Sequence, residues 1–322
     1  MKAIVYKNYG GPEVLTLTEV DTPLPGEGEV QVKIMSTTVN RTDTGFREAT
    51  YLAVRVVGGL FHPKQSILGT EFSGIVSQIG EGVTLFKPGD FVFGLNTYQF
   101  GTHAEYICVP EDGSITLMPE NLSFNEASAV CDGMMLANNY IKRINFKKRP
   151  QLLINGATGS IGIAALQLAK YHGAKVTAVG NTKNLKLLKQ LGADEVIDYT
   201  QEDFTQRDKK YDTVLDAVGK SSFFACKKIM NSRATYYSSE LGYMWQNVFL
   251  PFFTGYFGGK KMRFPIPTDS KEDIQYFKML LEFEHYKPVI DKVFSMEQFA
   301  EAHAYVDTGE KTGNVVIEIA KP

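Results

Sequence analysis

The chain has 322 residues, with 34 Lys plus Arg against 36 Asp plus Glu and a formal net charge of −2. That balance argues against a nucleic-acid partner, which would ask for a basic surplus, and 43% apolar with 22% charged residues excludes a disordered chain. Three separated cysteines, Cys108, Cys131 and Cys226, exclude a disulfide framework and a four-cysteine zinc site. No apolar run reaches the length of a membrane span or a signal peptide, so the sequence reads as cytoplasmic.

The first 120 residues are strand-like and turn-rich. Gly10-Gly11-Pro12, Pro23–Gly28 and Lys87–Asp90 punctuate β-prone runs at Val14–Leu17, Val30–Ile34 and Gly74–Ile79. Helical periodicity is confined to Arg41–Val57. This part is expected to be a mostly antiparallel, barrel-like domain. At Ser123 the pattern changes: a serine with Glu126 three residues on is a helix N-terminus, and the helix is expected to run to about Ile144. Strands then alternate with helices. Strands are expected at Gln151–Asn155, Lys175–Val179, Glu195–Asp198, Asp212–Asp216 and Ala234–Ser238, and helices at Ile161–His172, Asn184–Leu191 and Asp273–Glu284. That rhythm is a parallel sheet with crossover helices. The tail returns to β character at Gly313–Ile319 and is expected to rejoin the first domain. The expected division is 1–122, 123–285 and 286–322.

Strand Gln151–Asn155 runs directly into Gly156-Ala157-Thr158-Gly159-Ser160-Ile161-Gly162, where a helix begins. A chain that turns tightly off a strand, without side chains at the close approach, can set free helix N–H groups against a pyrophosphate. The competing reading is a tight turn kept for packing alone. After the second strand an NAD site ordinarily carries an acid for the ribose hydroxyls. Here Gly180-Asn181-Thr182-Lys183-Asn184 follows, with no acid before Asp194. Asn181, Thr182 and Lys183 can accommodate a 2′-phosphate that a carboxylate would repel, so NADPH is favoured over NADH. Lys183 can equally be a solvated first-turn residue. Val218, after the fourth strand of this series, joins the candidate cofactor-binding set.

With these residues in view the sequence resembles the medium-chain dehydrogenase/reductase superfamily, in its zinc-free quinone oxidoreductase-like branch. The resemblance rests on Gly10–Leu15, Val39-Asn40-Arg41-Thr42-Asp43, Leu68–Gly74, Lys87–Asp90, Gly101–Tyr106 and the glycine run, and ends with Leu191–Tyr199 and Lys311–Val316. It implies a GroES-like mostly-β barrel domain made from both chain ends, a Rossmann doubly wound parallel-sheet domain between them and an active-site cleft at their junction. It also implies NADP(H), with Tyr199 near the adenosine phosphate, and a homodimer joined near Met262–Ile266. The alcohol dehydrogenase branch needs Cys where this chain has Asn40, His where it has Thr70, and a third ligand near Asp132. Asn and Thr are poor zinc ligands, so no metal is expected, and His103 reads as structural.

Without zinc, a conjugated carbonyl is the easier substrate: hydride adds at the β-carbon and the enolate needs only hydrogen-bond donors. The resemblance places Asn40 and Asp43 in this pocket as candidate catalytic residues; the alternative is that both hold the loop through backbone bonds. Tyr51 is a third candidate, as a phenolic donor. Met135 stands where many relatives carry a threonine beside the nicotinamide. The expected activity is NADPH-dependent reduction of a quinone or an α,β-unsaturated carbonyl, against an alcohol or polyol dehydrogenase or an NADPH-binding sensor or scaffold. Seven aromatics in Tyr243–Phe257, followed by Lys260-Lys261, read as a pocket lining, an interface or a membrane-surface contact.

Overall fold

The computed structural model describes residues 1–254 and 259–321, without the side chains of Ala53 and Met244. Among them the chain forms two units, 1–132 with 269–284 and 288–321, and 133–254 with 259–268 and 285–287. In chain order the first unit opens with β1 (Lys2–Val5), β2 (Thr16–Glu19) and β3 (Glu29–Val39). Helices α1 (Arg41–Glu48) and α2 (Leu52–Gly58) follow, then β4 (Glu71–Ile79), β5 (Phe91–Leu95), β6 (Tyr106–Pro110), β7 (Ile115–Leu117) and α3 (Phe124–Ser128). The long strand β3 is the axis of this unit: it pairs antiparallel with both β4 and β6. Its inward residues Val30, Val32 and Ile34 pack with Phe72, Val76 and Ile115 in a sealed core.

The stretch of helical periodicity at Arg41–Val57 forms two helices. Ala49 adopts φ +46°, a left-handed conformation that closes α1 and lets the chain turn before α2 begins. The helix expected from Ser123 to Ile144 is likewise two, α3 and α4 (Cys131–Ile141). Ser123 and Glu126 do form the anticipated reciprocal cap. The helix restarts because the Asp132 N–H is taken by the Glu71 carboxylate rather than by a carbonyl one turn back.

The second unit holds β8 (Gln151–Asn155), α5 (Ser160–Tyr171), β9 (Lys175–Gly180), α6 (Leu185–Gln190), β10 (Glu195–Asp198), β11 (Tyr211–Asp216), α7 (Phe223–Cys226), β12 (Met230–Ser238), α8 (Gln246–Thr254) and β13 (Lys261–Arg263). Its six strands lie in the order β10-β9-β8-β11-β12-β13, all parallel. The order reverses between β8 and β11, which is the doubly wound arrangement with its ligand crevice at the switch point. Helix α8 falls in the aromatic stretch and the edge strand β13 follows it, both where periodicity left no elements; Tyr256 and Phe257 of the stretch lie outside the described residues.

The chain then returns with α9 (Lys271–Glu282), β14 (Ile290–Ser295), α10 (Phe299–Asp307) and β15 (Asn314–Glu318). The expected rejoining of the tail is seen residue by residue: β15 pairs antiparallel with β3, Val315 opposite Val39 and Ile317 opposite Thr37. The strand β14 and helix α10 were not anticipated. The apolar positions Phe299, Ala302 and Val306 close over β15 and Ile4. Residues 123–132 and α9, placed by the sequence in the dinucleotide-binding half, pack with the first unit. Helix α3 lies on β3 and β4, and α9 lies on β7. The buried stripe of α9 is Ile274, Phe277, Leu280 and Leu281, and the Asn121 amide donates to its Leu281 carbonyl.

Candidate active site

In the first unit the chemistry collects where β3 ends and α1 begins. Asn40 is the N-cap of α1, and its Oδ1 accepts the Asp43 N–H at 3.0 Å while the Asp43 carboxylate accepts the Asn40 N–H at 3.0 Å. This reciprocal box fixes both side chains. The other Asp43 oxygen accepts the Gly69 N–H at 3.0 Å, and Asn40 Nδ2 donates to Thr70 Oγ1 at 2.8 Å. All three side chains are buried. Burial raises the Asp43 carboxyl to about 8 against the lowering pull of its two backbone donors.

The resemblance places Asn40 and Thr70 at the two positions where the zinc enzymes need thiolate and imidazole, and in the structure they bond to each other. An amide and a hydroxyl joined in this way offer no anionic or imidazole donor to a metal. Among the described residues no three His, Cys, Asp or Glu side chains gather to hold a metal ion. The residues present therefore do not fit a catalytic zinc.

Beside this pair lies a cluster that sequence reasoning missed. Glu71 is 1% exposed; it accepts the Thr38 hydroxyl and, at 2.7 Å, the Asp132 N–H. The Glu71 and Asp132 carboxyls are both pushed up, first by burial, and Glu71 further by the charge of Asp132. Lys311 supplies the compensating cation: burial lowers it to about 8 while Asp132 and Glu71 hold it up. Two acids held out of water side by side resist carrying two negative charges at once, and the half-buried Lys311 offsets part of that charge. Glu71 and Lys311 each stand inside a motif of the resemblance, but no local spacing says that residues 240 positions apart feel one another's charge.

The histidines behind this cluster are structural. His103 Nε2 lies 2.9 Å from the Thr38 carbonyl and so carries the proton, and burial drives the ring down to about 3. His303 accepts from the fully buried Arg47, whose guanidinium also reaches Glu48 and Asp307 at 2.7 Å. Tyr51 is elsewhere in this unit's chemistry: it precedes α2 with its ring 54% exposed, and its hydroxyl joins none of the bonds around Asn40.

In the second unit the glycine run turns where β8 ends. Gly156 has φ +74°, and a Cβ there would meet Val218 Cγ1 at 2.3 Å; at Gly162 it would meet the Gly156 carbonyl at 2.2 Å. Those two glycines are demanded by packing. Gly159 is different, with φ −80° and no protein atom nearer its Cβ position than the Gly156 carbonyl at 3.8 Å. The open space beside Gly159 is where the first turn of α5 (Ser160, Ile161, Gly162) aims N–H groups that have no carbonyl one turn back. Ala157 is buried, and the Thr158 methyl carbon would lie 2.9 Å from a Cβ on Gly180, so Thr158 closes the crevice against the end of β9.

Val218 is held over Gly156 by a second unanticipated acid. Asp216, at the end of β11, is fully buried and accepts from Asn155, Tyr236, Ser221 and the Val218 N–H at 2.9–3.3 Å. Met135 is 4% exposed and its carbonyl accepts the Asn139 amide. At the end of β9, Asn181 Oδ1 is buried without a hydrogen-bond partner, an acceptor waiting for a donor. Thr182 and Lys183 form the following 3-10 turn, and the ring of Tyr199 is 56% exposed. The Thr182 hydroxyl is committed to Asp198 at 2.5 Å. No spacing along the chain after β9 points to Asp198. It arrives from the neighbouring strand, in register with Gly180. The crevice, the free helix N-terminus and the orphan acceptor together fit a dinucleotide.

Comparison with known proteins agrees with both units. Residues 26–120 match the family described as alcohol dehydrogenase GroES-like domain, and residues 191–317 match zinc-binding dehydrogenase. The chain is 33% identical to the 2-methylene-furan-3-one reductase of Solanum lycopersicum, over 98% of this chain and 79% of that protein. It is 30% identical, with the same coverage, to the chloroplastic NADPH-dependent alkenal/one oxidoreductase of Arabidopsis thaliana. The quinone oxidoreductase of Coxiella burnetii superposes with a TM-score of 0.88 at 26% identity, covering 99% of each chain. The chain belongs to the quinone oxidoreductase-like branch of the medium-chain dehydrogenase/reductase superfamily. It is an oxidoreductase of that branch. Among the described residues no helix is long and apolar enough to cross a membrane.

Proposed function

We propose that this protein is a cytoplasmic, zinc-independent reductase that delivers hydride from NADPH to an α,β-unsaturated carbonyl or a quinone. The observation that carries the reading is the closed Asn40–Thr70 pair, 2.8 Å apart, in the place of two zinc ligands. With no Lewis acid there, a substrate whose negative charge spreads over an enolate or a quinol is the one this pocket can serve. NADPH, when bound, supplies the hydride. The first turn of α5 receives its pyrophosphate, and Asn181, Lys183 and Tyr199 form the rim against which a 2′-phosphate would rest. The unpartnered Asn181 Oδ1 supports a donor from the adenosine side at that rim. Burial keeps the Glu71 and Asp132 carboxyls ready to take up protons near neutrality, and Asn40 and Asp43 hold Gly69 and Thr70, which lead into Glu71.

One observation favours an NADH reading. Asp198 shares a hydrogen bond with Thr182, and a carboxylate so placed disfavours a 2′-phosphate. Initial rates decide both questions in one experiment. Chelator-treated protein is assayed with NADPH and with NADH against a benzoquinone, a naphthoquinone, an aliphatic enone and a 2-alkenal. Metal-independent turnover with a lower KM for NADPH is expected. Turnover that appears only with added zinc and an alcohol substrate would overturn the reading.

A further inference from the structure

Helix α8 departs from the usual pattern of a helix packed on a sheet, which buries an apolar stripe and shows charge to water. It carries no charged residue, and the described residue it buries fully is Asn247. Phe249, Phe252 and Phe253, at the i, i+3, i+4 spacing of one helix face, are 56, 75 and 65% exposed. Across a groove stands Phe224, 54% exposed. Four large aromatics turned to water on one surface are a costly arrangement for a protein that meets only water.

The same groove is rimmed by cations. Lys227 Nζ lies 4.9 Å from the Phe224 ring centre and 5.2 Å from that of Phe223. Lys260 Nζ donates to the Lys227 carbonyl at 2.6 Å, and Lys210 Nζ donates to the Lys228 carbonyl at 2.5 Å. These lysines meet carbonyls at the end of α7, not acids. Among the described residues no carboxylate comes within 4.0 Å of any of the four. Lys228 does help hold the Asp203 carboxyl down from farther off. In a chain of net charge −2, this is a concentrated positive edge. It sits where β11 and β12 begin, and the glycine run sits where β8 ends, so in a parallel sheet the patch faces away from the dinucleotide crevice.

We propose that this surface docks on an anionic lipid bilayer, with Phe224, Phe249, Phe252 and Phe253 entering the headgroup boundary and the lysines facing lipid phosphates. Aromatics flanked by unpaired lysines are complementary to such an interface on both counts. A second copy of the chain joined along the edge strand β13 is the competing occupant, and light scattering reads it separately from vesicle binding. A nucleic-acid duplex would leave the phenylalanines in water. Docking would bring the reductase to where apolar quinones and long-chain enals concentrate.

The test is sedimentation of the full chain with vesicles of phosphatidylcholine alone and with about a third phosphatidylglycerol, at low and high salt. Binding to the anionic vesicles that weakens with salt is expected. Phe252→Ser with Phe253→Ser should lower partitioning at least roughly tenfold, and Lys227→Ala with Lys260→Ala roughly 25-fold, at about fivefold per lysine. Turnover of a water-soluble enone should stay at the parent level in both, which shows that they fold. The lysine pair tests the surface even if the serine pair does not fold. Equal binding to both vesicle types, no binding, or variants that bind like the parent would overturn the proposal. So would a serine variant that turns a dimer into a monomer by light scattering while vesicle binding persists, or a duplex that the chain binds more tightly than vesicles.

Discussion

The Asp132 N–H donates to the Glu71 carboxylate at 2.7 Å, so one buried acid starts the helix that carries the other. Their carboxyls and that of Asp43 all titrate above the ordinary carboxylate range because burial disfavours the charged form. An acid whose pKa is higher folded than unfolded binds more protons when folded. Its stabilising contribution is therefore lost as pH rises towards the raised value, about 8 for Asp43. Lys311, held low, acts in the opposite sense above that point. Between neutrality and that value the unfolding free energy should fall with pH, and Glu71→Gln, which keeps an acceptor for Asp132, should flatten the fall. One proton accounts for at most about 1.4 kcal/mol per pH unit. Urea unfolding of parent and variant across that window measures the difference, and identical slopes would remove Glu71 from the account.

On the acid side the sign reverses. His103 is held down to about 3, so it stays neutral in the folded protein while the unfolded chain takes up a proton below its ordinary value. Its contribution is whole above that value and is lost as pH falls. Between neutral pH and pH ~5 a buried histidine of this kind should cost about 2 kcal/mol. His103→Gln retains a side-chain N–H for the Thr38 carbonyl and removes the titration. Acid unfolding followed by circular dichroism should show the variant giving way at lower pH than the parent. An unchanged midpoint would mean that another group sets it.

The contrast between Asn40 and Tyr51 shows what was legible in the chain and what was not. The Asn40–Asp43 box is local, three residues apart, and the sequence named both side chains and offered loop-holding as an alternative role. The same holds for the Ser123–Glu126 cap and for the glycine run, whose elements fall within a residue or two of expectation. Contacts set by tertiary pairing were out of reach. Asp198 meets Thr182 only because β10 lies beside β9, and the charge of Lys311 acts on Glu71 and Asp132 only because β15 returns to β3. Helix α10 was missed because its apolar residues are interrupted by His303 and Glu301, and the histidine is buried only once Arg47 is there to bond it.

Asn40 itself is open to a direct test. Both ends of its amide are engaged, so Asn40→Ala should act through the fold. It loses a helix cap and the bond to Thr70, together about 1–3 kcal/mol, with kcat falling less than about threefold, a small fraction of the effect of removing a transition-state donor. Thermal melting and steady-state rates with one enone would separate these. A loss of kcat of about a hundredfold in a variant of near-parental stability would make Asn40 a donor to the substrate instead.

In the proposed site Lys183 is expected to carry the coenzyme preference. Lys183→Ala should raise KM for NADPH about tenfold and leave KM for NADH within about twofold, because the lysine charge answers a phosphate that NADH lacks. Asp198→Asn should move the ratio the other way, towards NADPH, by removing the carboxylate that now faces Thr182. If both variants change the two coenzymes alike, the preference resides elsewhere on the rim.

The glycines of the run separate packing from ligand binding. Gly156→Ala combines φ +74° with a Cβ 2.3 Å from Val218 Cγ1, and Gly162→Ala drives a Cβ to 2.2 Å from the Gly156 carbonyl. Each should cost about 1–4 kcal/mol of stability, the range of local backbone strain and overpacking. Gly159→Ala meets no such obstacle: its φ is −80° and its Cβ position is open to 3.8 Å. Its stability should stay within about 1 kcal/mol of the parent, the ordinary effect at a helix cap. The new methyl nonetheless stands in the space where a pyrophosphate approaches the first turn of α5. NADPH affinity, read by fluorescence titration, should therefore fall at least about tenfold in Gly159→Ala, since a phosphate held off that turn loses charge-assisted bonds. Parental affinity in this variant would mean that the turn is kept for packing and that the coenzyme enters by another route.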